Sequence, residues 1–99
     1  MRSPRQALGA AGEAAAAEAL QAAGYQIVEK NVRTPFGEID LIARQGEVLC
    51  FIEVKSRTSE TFGHPFEAVT KSKQSTMRRC AAFLLQTRKW DDACRFDVV

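Results

Sequence analysis

The run of residues 37–55, GEIDLIARQGEVLCFIEVK, constrains the fold more than any other part of the chain. Two stretches rich in Ile, Leu, Val and Phe flank a Gln45-Gly46 turn signal. This predicts a β-hairpin with strands over about 38–44 and 48–56. Side chains alternate sides along a strand. Glu38, Asp40 and Ile42 therefore share one face of the first strand, and Leu49, Phe51, Glu53 and Lys55 share one face of the second. Pairing Arg44 with Glu47 sets Ile42 against Leu49, Asp40 against Phe51 and Glu38 against Glu53. In that register Asp40 and Glu53 are diagonal neighbours on one face, roughly 7–8 Å apart at Cα. Lys55 follows on the same side.

The hairpin is otherwise apolar on both faces, as a buried strand pair is. Carboxylates and ammonium groups are seldom buried unless paired or bound to metal. One reading is a structural salt bridge from Lys55 to Asp40 or Glu53. A single bridge uses only one of the two carboxylates, so the trio reads better as a hard-cation site with a positive helper. Carboxylate oxygens suit Mg²⁺ or Mn²⁺; Mg²⁺ is held by one or two carboxylates plus phosphate and water.

The rest of the chain predicts two helices and two more strands. Residues 6–23 are Ala-rich with Leu8 and Leu20, and Gly24 is a C-cap signal. At about 100° per residue Glu13 lies beside Gly9, Ala16, Ala17 and Leu20, while Glu18 points away. From spacing alone a site role and a half-exposed helix position are equally good readings of Glu13. Residues 25–32 predict a strand with Tyr25, Ile27 and Glu29 on one face. Pro35-Phe36-Gly37 marks a turn. Arg33 reads first as a surface charge and second as a phosphate contact. Residues 56–65 predict a loop leaving the site strand; its His64, the only histidine, reads as solvated.

Residues 66–88 predict the second helix, with Val69, Met77, Cys80, Ala81 and Leu84 inward. Lys73 falls on that stripe, either snorkelling or gripping a phosphate beside the cation. Lys71, Arg78 and Arg79 form a basic outer face that suits a nucleic-acid backbone. Trp90 reads as a lid on the core, and residues 95–99 as a last strand.

A chain of 99 residues supports one domain, 1–99, and its abrupt apolar end reads as a truncation. The net charge of +2 neither demands nor excludes nucleic acid, so local clustering decides. No apolar run approaches the roughly 20 residues of a membrane span. The three cysteines, Cys50, Cys80 and Cys94, lack C-x-x-C spacing. They read as reduced thiols of a cytoplasmic protein.

Asp40, twelve residues and then Glu53-Val54-Lys55 resemble the PD-(D/E)XK nuclease motif, with Ile39 in place of its Pro. The wider text adds GEID, FIEVKSR, Phe62-Gly63, Lys73 and Arg95-Phe96-Asp97-Val98-Val99. Together these resemble the YraN-like family, small bacterial proteins classed with endonucleases and related to archaeal Holliday junction resolvases. The resemblance covers nearly the whole chain. It implies an α/β restriction-endonuclease-like α-β-β-β-α-β core, a central mixed sheet flanked by helices. It implies a Mg²⁺- or Mn²⁺-dependent endonuclease hydrolysing phosphodiester bonds in DNA, branched or structured DNA included. Asp40, Glu53 and Glu13 would then be metal ligands, Lys55 a catalytic lysine, and Lys73, Arg33 and Arg57 nucleic-acid contacts. The alternative is a non-catalytic nucleic-acid-binding or assembly module that retains the fold. The sequence leaves the oligomeric state open, a homodimer included.

Overall fold

The structure, a computed structural model, describes residues 4–54 and 69–99, with the backbone alone for residues 4–11 and 13. The element order is α1 (Pro4–Ala22), β1 (Gln26–Thr34), β2 (Gly37–Gln45), β3 (Val48–Glu53), α2 (Lys71–Thr87) and β4 (Ala93–Val98). The four strands form one sheet in chain order. β1–β2 and β2–β3 are antiparallel, and β3–β4 is parallel. The mixed sheet flanked by two helices is the α-β-β-β-α-β architecture expected from the sequence. The loop expected over residues 56–65, His64 included, lies outside the described residues.

The alternating faces of β2 and β3 explain why the sheet is central. Ile42, Leu49 and Phe51 pack with Met77, Cys80, Ala81 and Leu84 of α2. Leu41, Ala43, Cys50 and Ile52 pack with Ala16 and Leu20 of α1. Each of these β2 and β3 side chains is fully buried. Burial of a Leu, Ile or Phe side chain stabilises a fold by about 1.5–3 kcal/mol, so these two strands anchor both layers. The sequence reading of the α2 stripe and of Ala16, Ala17 and Leu20 on α1 agrees with this burial.

α1 ends in a Schellman motif. The Tyr25 N–H donates to the Leu20 carbonyl (2.9 Å) and the Gly24 N–H to that of Gln21 (3.0 Å), with Gly24 at φ +94°.

Four sequence expectations need correction. The β2–β3 register runs Gln45↔Val48, Ala43↔Cys50 and Leu41↔Ile52, two residues away from the expected pairing. The two-residue loop is Gly46-Glu47, because Gly46 supplies the positive φ (+60°) at the first loop position, where such turns need it. A slip of two preserves every face. β1 extends through Thr34 rather than ending at Val32, since Pro35-Phe36 suffices to close the β1–β2 hairpin. Its register shifts between Ile27 and Glu29. Tyr25 and Ile27 pack toward α1, whereas Glu29 receives both terminal nitrogens of Arg88, one at 2.9 Å, so Glu29 does not share their environment. Finally, α2 starts at Lys71, not at residue 66. Thr70 is non-helical at ψ 153°, and its hydroxyl accepts the Lys73 N–H (3.2 Å) as N-cap.

Candidate functional site

The register places the acidic residues. Extending Leu41↔Ile52 by one step sets Asp40 opposite Glu53, closer than the diagonal arrangement expected from the sequence. Glu53 ends β3, and its carbonyl accepts the Val99 N–H (2.9 Å), so the backbone under it is held from the β4 side. The Asp40 Oδ2 accepts the Val54 N–H at 2.9 Å, which ties the end of β3 to the Asp40 side chain.

α2 contributes the cation. Thr70 fixes the first turn of the helix, and the Gln74 amide donates to the Val69 carbonyl (2.9 Å) just before it. That places Lys73 at the third helical position, with Nζ 3.3 Å from Glu53 Oε2. The Glu53 side chain is 18% exposed and that of Lys73 43%. Lys73 thus snorkels out of the apolar stripe to the C-terminal end of β3. Its charge also reaches Asp40.

Asp40 is held above its ordinary proton affinity. Burial is the main cause, with Glu38 adding to it; the Val54 N–H and the Lys73 charge act against it. Glu38 is itself paired with Arg33 at 3.5 Å, an exposed contact. Among the described residues Asp40 has no salt-bridge partner of its own, and no group of three or more His, Cys, Asp or Glu side chains is placed to hold a metal. The donor set at this point is two half-buried carboxylates. Hard oxygen donors in that number match a Mg²⁺ or Mn²⁺ ion that completes its shell with water and phosphate.

Of the residues singled out from the sequence, Asp40, Glu53 and Lys73 come together here. Glu13 lies in α1 with its side chain outside the described residues, as are Lys55 and Arg57 altogether. Arg33 sits on exposed β1 and turns to Glu38. Sequence reasoning missed two contributors. The Val54 N–H follows from the residue after Glu53 turning out of the strand. Glu38 was visible as a neighbour of Asp40 two residues away, without a role. Cys50, Cys80 and Cys94 are free thiols, the first two buried. No helix among the described residues is long and apolar enough to cross a membrane.

Known proteins are similar to this chain in sequence. Residues 12–99 match the model of a family described as "Uncharacterised protein family UPF0102". A UPF0102 protein of Moorella thermoacetica is 50% identical over 100 residues, spanning 100% of this chain and 83% of that protein. One from Symbiobacterium thermophilum is 52% identical over 93 residues, covering 93% and 79%. One from Chlorobaculum tepidum is 54% identical over 95 residues, covering 93% and 72%. A chain matched over nearly its whole length at half identity shares the family's fold and sequence framework, and it belongs to the UPF0102 family.

Proposed function

We propose that the protein is a Mg²⁺- or Mn²⁺-dependent endonuclease of the PD-(D/E)XK kind that hydrolyses phosphodiester bonds in DNA in the cytoplasm. The observation that carries this reading is Asp40: a half-buried carboxylate with raised proton affinity, set opposite a second carboxylate and lacking a salt-bridge partner among the described residues. Such an arrangement is costly for stability alone. Asp40 and Glu53 would hold the ion, with Glu13 from α1 completing the set. A bound ion supplies polarisation of the phosphate and a more acidic water.

The chain's own residues do the rest. The Val54 N–H orients the Asp40 carboxylate through Oδ2. Lys73 leaves Glu53 for the substrate phosphate, an exchange of one anionic oxygen for another at the capped start of α2. The N-terminal end of a helix favours an anion there. Lys55, two residues beyond Glu53, stabilises charge that develops on the reacting phosphate. Arg33 and Arg57 would contact the nucleic-acid backbone. Among the described residues no base-reading element stands out, and recognition follows nucleic-acid shape and backbone.

The Lys73–Glu53 pair favours one rival reading, in which the cluster is a structural bridge in a non-catalytic nucleic-acid-binding module. One experiment separates them: branched, flap, duplex and single-stranded DNA incubated with Mg²⁺ or Mn²⁺. The expected result is cleavage of at least one substrate, stopped by EDTA and absent in Asp40→Asn. Binding across the panel without metal-dependent cleavage would leave the binding module in its place.

A further inference from the structure

A single exposed phenylalanine is ordinary on a protein surface, but Phe36 is placed unusually. It occupies the tip of the β1–β2 hairpin and is 50% exposed. The tip is held in shape: Thr34 Oγ1 accepts the Phe36 N–H (3.1 Å) and donates to the Gly37 carbonyl (2.9 Å). The ring meets Phe83 of α2 edge-on, with centroids 6.2 Å apart and planes at 72°. A T-shaped contact braces the ring and leaves it open to stack on another flat group.

Two exposed arginines stand on the elements that carry the two rings, one of them paired with Glu38. Arg79 is exposed one turn before Phe83 on α2. The Arg33 side chain, 88% exposed, lies across the hairpin from Glu38. Arg33, Thr34, Gly37 and Glu38 line a groove of about 360 Å³. Glu38, which lines this groove, is two residues from Asp40 on β2, and its charge acts on Asp40. Phe36 precedes Asp40 by four residues, about 13 Å of strand at ~3.3 Å per residue.

We propose that the Phe36 ring is a stacking platform for an unpaired nucleobase, so that the protein favours DNA in which a single strand leaves a duplex. This rests on the nuclease reading and narrows its substrate class. A rigid aromatic face beside guanidinium groups is the chemistry that binds single strands without reading sequence. The Arg33–Glu38 pair opens as Arg33 turns to a backbone phosphate. Inside a paired duplex every base is stacked on both faces and offers the ring none.

The test is binding in EDTA, read by fluorescence anisotropy of labelled duplex with and without a single-stranded tail. Wild type should bind the tailed duplex more tightly. Phe36→Ala and Phe36→Leu should lose about 5- to 100-fold on the tailed duplex and nothing on the blunt one, while Phe36→Tyr keeps the preference. Leu retains apolar bulk at the turn, which separates stacking from simple packing. Equal binding of both duplexes by wild type overturns the proposal. So does a Leu variant that matches wild type, or a loss in the variants that is equal for both duplexes. Cleavage without tail preference would sink the platform and keep the nuclease; tail preference without cleavage would do the reverse.

Discussion

The two ends of β2 carry similar side chains in different arrangements. At the turn end, Arg44 and Asp92 meet at 2.6 Å, one cation for one anion, beside a groove of about 540 Å³ whose other acids, Glu47 and Asp91, are exposed to water. At the opposite end, Asp40 and Glu53 are half-buried, and among the described residues Lys73 pairs with Glu53 while its charge also reaches Asp40. The backbone differs in the same direction. Gly46 at the turn has no neighbour that an added Cβ would touch, whereas one at Gly37 would come within 2.9 Å of Thr76 Cγ2 and 3.5 Å of Cys80 Sγ. Among the described residues the turn end is therefore loose, and the Asp40 end is tightly packed. The proposed nuclease reading assigns a function to the second end and none to the first. A carboxylate kept where burial penalises its charge is what that reading requires of Asp40.

The largest difference between the ends should appear in activity. With a DNA substrate that wild type cleaves, Asp40→Asn or Glu53→Gln should lower the metal-dependent rate by at least about 100-fold, since loss even of groups that only orient a metal ligand costs 10- to 100-fold. Asp92→Asn at the other end should leave the rate within about twofold. Initial rates under matched Mn²⁺ concentrations check this. Similar losses from all three variants would mean that the ends do not differ in function.

Next in size is packing. Gly37 sits at φ +149°, a conformation other residues rarely adopt, and it is pressed against α2. Gly37→Ala should destabilise by about 1–3 kcal/mol through overpacking and backbone strain. Gly46→Ala, at φ +60° with open space around it, should cost about 1 kcal/mol. Denaturant midpoints measure both. A more costly change at Gly46 would reverse the contrast between the tight and the loose end.

The faces of the hairpin were legible from sequence because side-chain parity survives a slip of two residues. The register was not legible. Gln45-Gly46 and Gly46-Glu47 are both acceptable turn pairs, and only the positive φ of Gly46 at the first loop position decides. The burial stripe of α2 followed from its 3.6-residue period, but its start did not. The apolar Phe66 and Val69 extend the pattern past Thr70, whose capping geometry ends it. Asp40 and Glu53 stood out as acids in apolar strands. The Lys73–Glu53, Arg88–Glu29 and Arg95–Asp97 pairs differ in kind. The first two join segments distant in sequence through flexible side chains, and local spacing carries no signal for them. Arg95 and Asp97 are two apart on one strand face, a spacing that shows they can meet but not that they do.

The smallest effect is on stability, and its sign separates the ends most sharply. A carboxyl with a higher proton affinity in the folded state than in the unfolded one stabilises the fold at pH below its ordinary titration range. That contribution is lost as pH rises through the folded value. Asp40 is such a group, so at neutral pH its ionised form works against folding. Asn keeps an oxygen for the Val54 N–H and carries no charge. Asp40→Asn should therefore raise the melting temperature at neutral pH in metal-free buffer, and the gain should shrink to nothing as the pH is lowered through the wild-type titration. Asp92→Ala breaks the 2.6 Å bond to Arg44 and should lower the melting temperature at neutral pH, by about 1 kcal/mol of stability. Added Mn²⁺ should then stabilise wild type by mass action, leaving Asp40→Asn unmoved and Asp92→Ala shifted as wild type is. Calorimetric melts across pH, with and without Mn²⁺, read all of this in one series. A lower melting temperature for Asp40→Asn at neutral pH would make Asp40 a structural carboxylate like Asp92, and the difference between the two ends of β2 would disappear.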